Sequence, residues 1–223
     1  MSFAERRTAL RRSVPLIVLA AMGASCTMPT IDGAPPAYDP TSLTGGTLYH
    51  WTPGQAIAVH VVASDAAELE SAIRFALRQW ATALAYREHT LRLVSRPEDA
   101  DILVRARATA LPVDTAGCSA RGASEAVGQT LFCAAGDSAR TLELVSGPPG
   151  HIKVLITVDM AGIDDPNELL AVSVHEVGHA LGIGGHSDTA ADIMFPVPQT
   201  NLPSPRDART LRYVLHRRPD LTL

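Results

Sequence analysis

The sequence predicts an α+β domain, and three observations carry that expectation. Leu69, Ile73, Ala76, Leu77, Trp80 and Leu84 recur at helical spacing behind an Asp65-Ala66-Ala67-Glu68 capping arrangement. Short β-branched runs occupy 57–62, 91–94, 102–106 and 151–159. Two further segments each open on a polar residue followed by proline, at Asp165-Pro166 and Ser204-Pro205, as helix starts do. The order strand, helix, strands, helix, helix belongs to α+β architecture.

Each element has its own signal. The first strand follows a Pro53-Gly54 turn. In the run 102–106, Ile102, Val104 and Ala106 alternate with Leu103 and Arg105, which suits a half-buried strand near a sheet edge. Ile152, Val154, Ile156 and Val158 share one face of the next strand. Residues 108–150, rich in Gly, Ala and Ser, are expected to be mainly loops. In the helix opened by Asp165, with Glu168 in its first turn, Leu170, Val174, Val177 and Leu181 form the buried stripe and Gly182 ends it. The last helix buries Ala208, Leu211, Val214 and Leu215 and stops before Pro219.

The N-terminus reads as a leader. Arg6, Arg7, Arg11 and Arg12 precede an almost wholly apolar run, 14–24, too short for the roughly 20 residues of a membrane span. Gly23-Ala24-Ser25-Cys26 resembles a bacterial lipobox, although leucine is usual where Gly23 stands. Residues 1–25 are therefore expected to be a signal peptide. Residues 26–46, with Pro29, Pro35, Pro36, Pro40, Gly45 and Gly46, are expected to be a lipid-anchor and linker segment, and 47–223 the domain. Both lipidation of Cys26 and ordinary cleavage give an exported protein, either an envelope lipoprotein or a secreted one. Of the three cysteines, Cys118 and Cys133 would remain to form one disulfide in an oxidising compartment, closing a loop of about 15 residues. A net charge of −4 with both signs scattered excludes the basic stripe of a nucleic-acid binder.

The chemistry lies in 175–186, HEVGHALGIGGH. His175 and His179 stand one helical turn apart on one face, so both imidazoles can reach a single ion. Zinc accepts such ligands and tolerates three from the protein plus a water. Glu176, beside the first histidine, is placed to take a proton from that zinc-bound water and not to bind the metal. A third ligand must come from His186, Asp188, Asp192, Asp207 or His216, since no glutamate follows Glu176. His186, just past the Gly182 turn, is the preferred candidate, with Asp188 in reserve. His50, His60, His89 and His151 are expected to be structural or solvated.

The run HEVGHALG, the His186-Ser187 pair and Ile193-Met194-Phe195-Pro196 resemble the metzincin clan of zinc metallopeptidases, and most closely matrixins. Met194 falls eight residues after His186, where matrixins carry the methionine of their Met-turn. The resemblance covers most of 47–216. It implies a zincin-like fold, namely a twisted mixed sheet with a long helix, an active-site helix and a C-terminal helix. It also implies one catalytic zinc ion, and a cleft beside an edge strand that takes a protein or peptide substrate in extended conformation. Pro196, Val197 and Pro198 would form one wall of the main specificity pocket. Structural calcium is compatible with the resemblance, but no carboxylate cluster in the sequence calls for it.

Three departures stand out. Matrixins place two residues between the glycine and the third histidine, whereas this chain has Ile183, Gly184 and Gly185. The paired glycines could absorb the extra residue by adopting conformations closed to other residues. No cysteine suited to capping the zinc of a zymogen is apparent, and Phe195 lacks the hydroxyl some metzincins use as a further ligand. Two other functions compete with an exported endopeptidase: an amide hydrolase specialised for cell-envelope peptides, and a non-catalytic zinc-binding envelope lipoprotein with the same fold. Glu176 argues against the last, because purely structural zinc sites are normally closed by four protein ligands.

Overall fold

The computed structural model describes residues 35–62, 67–84, 86–108, 127–133 and 152–223. The leader, Cys26, the Asp65 cap, Cys118 and His151 lie outside the described residues. The rest belongs to one compact unit, residues 31–223.

The chain forms β1 (Tyr49–His50), β2 (Ala56–Val61), α1 (Ala67–Ala83), β3 (Thr90–Leu93), β4 (Ile102–Ala106), β5 (Gly128–Phe132) and β6 (Val154–Val158). It continues with α2 (Pro166–Ala180), α3 (Pro205–Leu215) and β7 (Leu221–Thr222). Five strands make a mixed sheet in the order β3-β2-β4-β6-β5. The first four run parallel, and β5 pairs antiparallel with β6 at the end of the sheet. A separate two-stranded ladder joins β1 to β7 in parallel. The fold is the α+β arrangement, a mixed sheet with a long helix and two further helices, that the sequence predicts.

Helices α1 and α2 pack against each other and over the sheet, α1 against β2 and β3, α2 against β5 and β6. The rows Ile57, Val59, Val61 and Ile102, Val104 meet Leu69, Ile73, Ala76 and Trp80 of α1 and Val174 and Val177 of α2 in one buried cluster. The indole of Trp80 donates to the Val174 carbonyl at 2.7 Å, fixing one helix to the other. No helix among the described residues is long and apolar enough to cross a membrane.

Three expectations need correction. Strand β4 is interior, between β2 and β6, with Leu103 fully buried. Its arginine imitates an edge pattern, but Arg105 is only half-buried and its guanidinium donates to Thr157 Oγ1 at 3.3 Å. The stretch 108–150, expected to be mainly loops, contains β5. The packed domain also begins before Thr47. Tyr38 is buried, the Ala37 amide donates to Thr210 Oγ1 at 3.1 Å, and the Leu43 amide donates to the Gly184 carbonyl at 2.9 Å. Backbone hydrogen bonds hold this proline- and glycine-rich segment in place, so its composition alone resembles a linker.

Candidate metal centre and active site

Helix α2 starts as its sequence dictates. Asp165 caps it by accepting from the Asn167 amide at 2.9 Å, and Pro166 takes the first turn, where its missing N–H costs nothing. The expected stripe is present at Val174, Val177 and Leu181, while Leu170 is only half-buried. The last two turns are enclosed on every face, however, and His175, Glu176 and His179 are each 1% exposed. These polar residues thus lie inside the core.

His175, His179 and His186 converge, with their candidate ligand atoms all within 4.8 Å of one another. His175 Nδ1 lies 2.8 Å from the Ile193 carbonyl and His179 Nδ1 lies 2.6 Å from the Ile183 carbonyl. A carbonyl can only accept, so both Nδ1 atoms carry the hydrogen and both Nε2 atoms present lone pairs. These two Nε2 atoms stand 3.0 Å apart with no hydrogen to share. A cation between them resolves that opposition. Neutral imidazoles oriented by backbone carbonyls are the donor set that zinc takes.

Burial keeps the triad neutral. It pushes His175 down to about 4, against the opposing hydrogen bond to Ile193 and with help from neighbouring His186. Burial, then His175 and His186, hold His179 well below the ordinary histidine range, and burial lowers His186 as well. An unfolded imidazole titrates near 6.5 and folded His175 near 4, so the unfolded chain binds protons first as pH falls. The stability this contributes is complete above pH 6.5 and lost on descending to about 4. Protein stripped by chelator should therefore melt at a clearly lower temperature at about pH 5 than at about pH 7.5. Equal midpoints at the two pH values would contradict neutral, buried His175 and His179.

Glu176 points toward β5. Thr130 Oγ1 donates to Glu176 Oε2 at 2.5 Å and lies 3.2 Å from the Glu176 carbonyl oxygen. A Cβ on Gly128 would fall 2.1 Å from Glu176 Oε1. The carboxylate is therefore wedged against the strand. Neither strand residue is among the candidates that sequence motifs supply.

The segment carrying His186 is shaped by contacts from far along the chain. Gly182 ends α2 with φ of +116°, and a Cβ there would also meet the Tyr49 carbonyl oxygen at 2.4 Å. Gly184 and Gly185 do not adopt the left-handed conformations expected of them, since the positive-φ glycines are Gly45, Gly46, Gly54 and Gly182. They are needed because residues 39–44 lie directly against them. A Cβ on Gly185 would sit 2.0 Å from the Asp39 carbonyl oxygen, and one on Gly184 would sit 2.5 Å from Thr44 Cγ2. Gly185→Ala must displace backbone and should cost about 1–3 kcal/mol. A lowered denaturation midpoint at unchanged slope checks this, and an unshifted midpoint contradicts the close packing.

The remaining third-ligand candidates have other partners. Asp188 pairs with Arg206 at 2.7 Å on the surface. His216 meets Glu88 at 3.2 Å. Asp192 is buried, and although burial raises its pKa, hydrogen bonds from Ser187, Ser204 and Arg206 hold it below the usual carboxylate range. Asp207, fully buried, accepts from the amides of Ile193 (2.9 Å), Met194 (3.4 Å) and Ser204 (2.8 Å) and from the Tyr38 hydroxyl (2.7 Å). Met194 is also fully buried, and a Cβ on Gly178 would fall 2.5 Å from its sulfur, so the methionine packs against α2 between the two helix histidines. Of the other histidines, His50 contacts the carbonyls of Trp51 and Arg217, and His60 that of Val94.

No curated protein matches the chain. The family model described as matrixin matches residues 56–209. That span includes the five-stranded sheet, α1, α2, the histidine triad and the start of α3. Matrixins depend on zinc, and membership implies metalloendopeptidase activity. With the fold, the triad and the methionine turn assembled in one unit, the chain belongs to the matrixin family.

Proposed function

We propose that the protein is an exported zinc endopeptidase acting on extended protein or peptide substrates. His175, His179 and His186 hold the ion and Glu176 is the general base. The observation that carries this reading is the pair of Nε2 lone pairs 3.0 Å apart on the buried His175 and His179, with half-buried His186 completing the cluster and Glu176 next to His175 on the same helix. Zinc, when bound, acidifies a water and polarises the scissile carbonyl. Glu176 accepts the proton of the attacking water and returns it to the departing amine as the C–N bond breaks. Strand β5 ends the sheet next to Glu176, and a substrate segment adds along it as a further strand.

Export rests on the leader at 1–25, and Cys26 is the proposed lipid anchor of the mature chain. Cys133 is disulfide-bonded, as suits an oxidising compartment, and its partner lies outside the described residues. The mass of the mature N-terminus separates a lipidated Cys26 from ordinary cleavage.

Zinc content and cleavage of an unfolded protein, measured for the wild type and two variants, test the activity. Chelation should abolish cleavage and zinc should restore it. Glu176→Ala should keep zinc and lose activity, whereas His186→Ala should lose most of both. A wild type that holds zinc yet cleaves nothing would favour the non-catalytic zinc-binding alternative.

A further inference from the structure

We propose that Thr130 is a positioning residue for Glu176, with Gly128 leaving the space its carboxylate occupies. Both lie two residues apart on β5, so they share the face turned to α2, opposite Val158 and Ile156 of β6. Thr130 is fully buried in a row otherwise filled by Ile156 and Val104, where valine would be the default. A buried hydroxyl costs stability unless it is hydrogen-bonded. Thr130 meets that cost by donating to Glu176 Oε2 at 2.5 Å. Having a single hydrogen, it gives it to the carboxylate and not to the more distant Glu176 carbonyl, 3.2 Å away. On the other side, the missing Cβ of Gly128 admits Oε1. Thr130 holds one oxygen by a hydrogen bond and Gly128 leaves room for the other, which restricts the torsions of a side chain that would otherwise sample several rotamers. The strand on which substrate is proposed to add therefore also sets the direction of the base.

The kinetic part of this inference rests on the peptidase reading; the structural part does not. The test uses the full chain with Thr130→Val, Thr130→Ser, Gly128→Ala, Glu176→Ala and the Thr130→Val/Glu176→Ala double variant. In chelated protein, Thr130→Val should lower the melting midpoint by about 3–6 °C when Glu176 is present and by less than about 1 °C when it is alanine. In zinc-loaded protein, Thr130→Val should keep wild-type zinc content and KM within about threefold while kcat falls about 10- to 100-fold. Thr130→Ser, which keeps the hydroxyl, should recover most of that kcat. Equal midpoint losses in both backgrounds, an unchanged kcat in Thr130→Val, or a serine variant no better than valine would overturn the proposal. If Thr130→Val does not fold, Gly128→Ala decides: its methyl should displace the carboxylate and lower kcat at full zinc content, and a retained kcat overturns the proposal. If the wild type cleaves nothing, the peptidase reading fails, while the midpoint coupling still settles the positioning role.

Discussion

Replacing Glu176 with alanine is expected to lower kcat by about a thousandfold, or about 4 kcal/mol of barrier, while zinc content stays at the wild-type level. The size follows from what is removed. General-base catalysis contributes about 10²- to 10⁴-fold, and no carboxylate joins the histidine cluster among the described residues to replace it. Retained zinc follows because the triad is built from three histidines, two of them oriented by carbonyls of Ile193 and Ile183 that the substitution leaves alone. Stability should change little. Alanine removes the desolvation cost of a carboxylate 1% exposed, but it also takes away the acceptor of the buried Thr130 hydroxyl, and the two effects oppose each other. Steady-state kinetics, metal analysis and a melting curve on one preparation check all three. Substantial residual activity in Glu176→Ala would exclude it as the base, and a fall in zinc would make it a ligand.

The second large effect is structural. Asp207→Ala should destabilise the protein by about 3–5 kcal/mol and weaken zinc binding about 10- to 100-fold. Asp207 accepts hydrogen bonds from Ile193, Met194, Ser204 and Tyr38, and alanine leaves those buried donors without an acceptor. Burial and the adjacent Asp207 carboxylate push the Tyr38 phenol far above its ordinary range, so Tyr38 remains a donor at any working pH. The effect reaches the metal site through one residue, Ile193. Asp207 holds the N–H groups of Ile193 and Met194, on either side of it, and the Ile193 carbonyl accepts from His175 Nδ1. Loosening that residue removes what fixes the tautomer and orientation of His175. Asp207→Asn keeps the shape but turns an amide toward at least one donor, and should be intermediate. Zinc titration alongside denaturant unfolding checks both effects. Full zinc affinity in Asp207→Ala would break the proposed link.

Most of the framework was legible because its signals are local. The cap at Asp165, the i and i+4 histidines, Gly182 and the Ser204–Asp207 capping box each act within a few residues. What stayed hidden has a common cause. Strand β5 is hidden because two of its three inward positions are Gly128 and Thr130, which face Glu176, so only Phe132 carries the apolar period-two signal. Strand β4 gave a false edge signal because Arg105 is accommodated by Thr157 of the neighbouring strand. Asp207 stands in the sequence as a candidate ligand, but its bonds to Tyr38 and Ile193 span 169 and 14 residues of chain.

The third histidine shows both sides of this. The sequence alone determined the metal-binding vocabulary: two histidines on one helical face, a glutamate between them, a glycine stop and His186 beyond it. Helical periodicity and glycine's backbone freedom are sufficient for that. The tertiary structure decided why the turn before His186 carries two glycines. They are absent from the positive-φ glycines, and the constraint is the Asp39 backbone at Gly185 and the Thr44 side chain at Gly184, lying where side chains would stand. Close approach between distant segments leaves only the absence of a side chain in the sequence, and that absence does not say what fills the space.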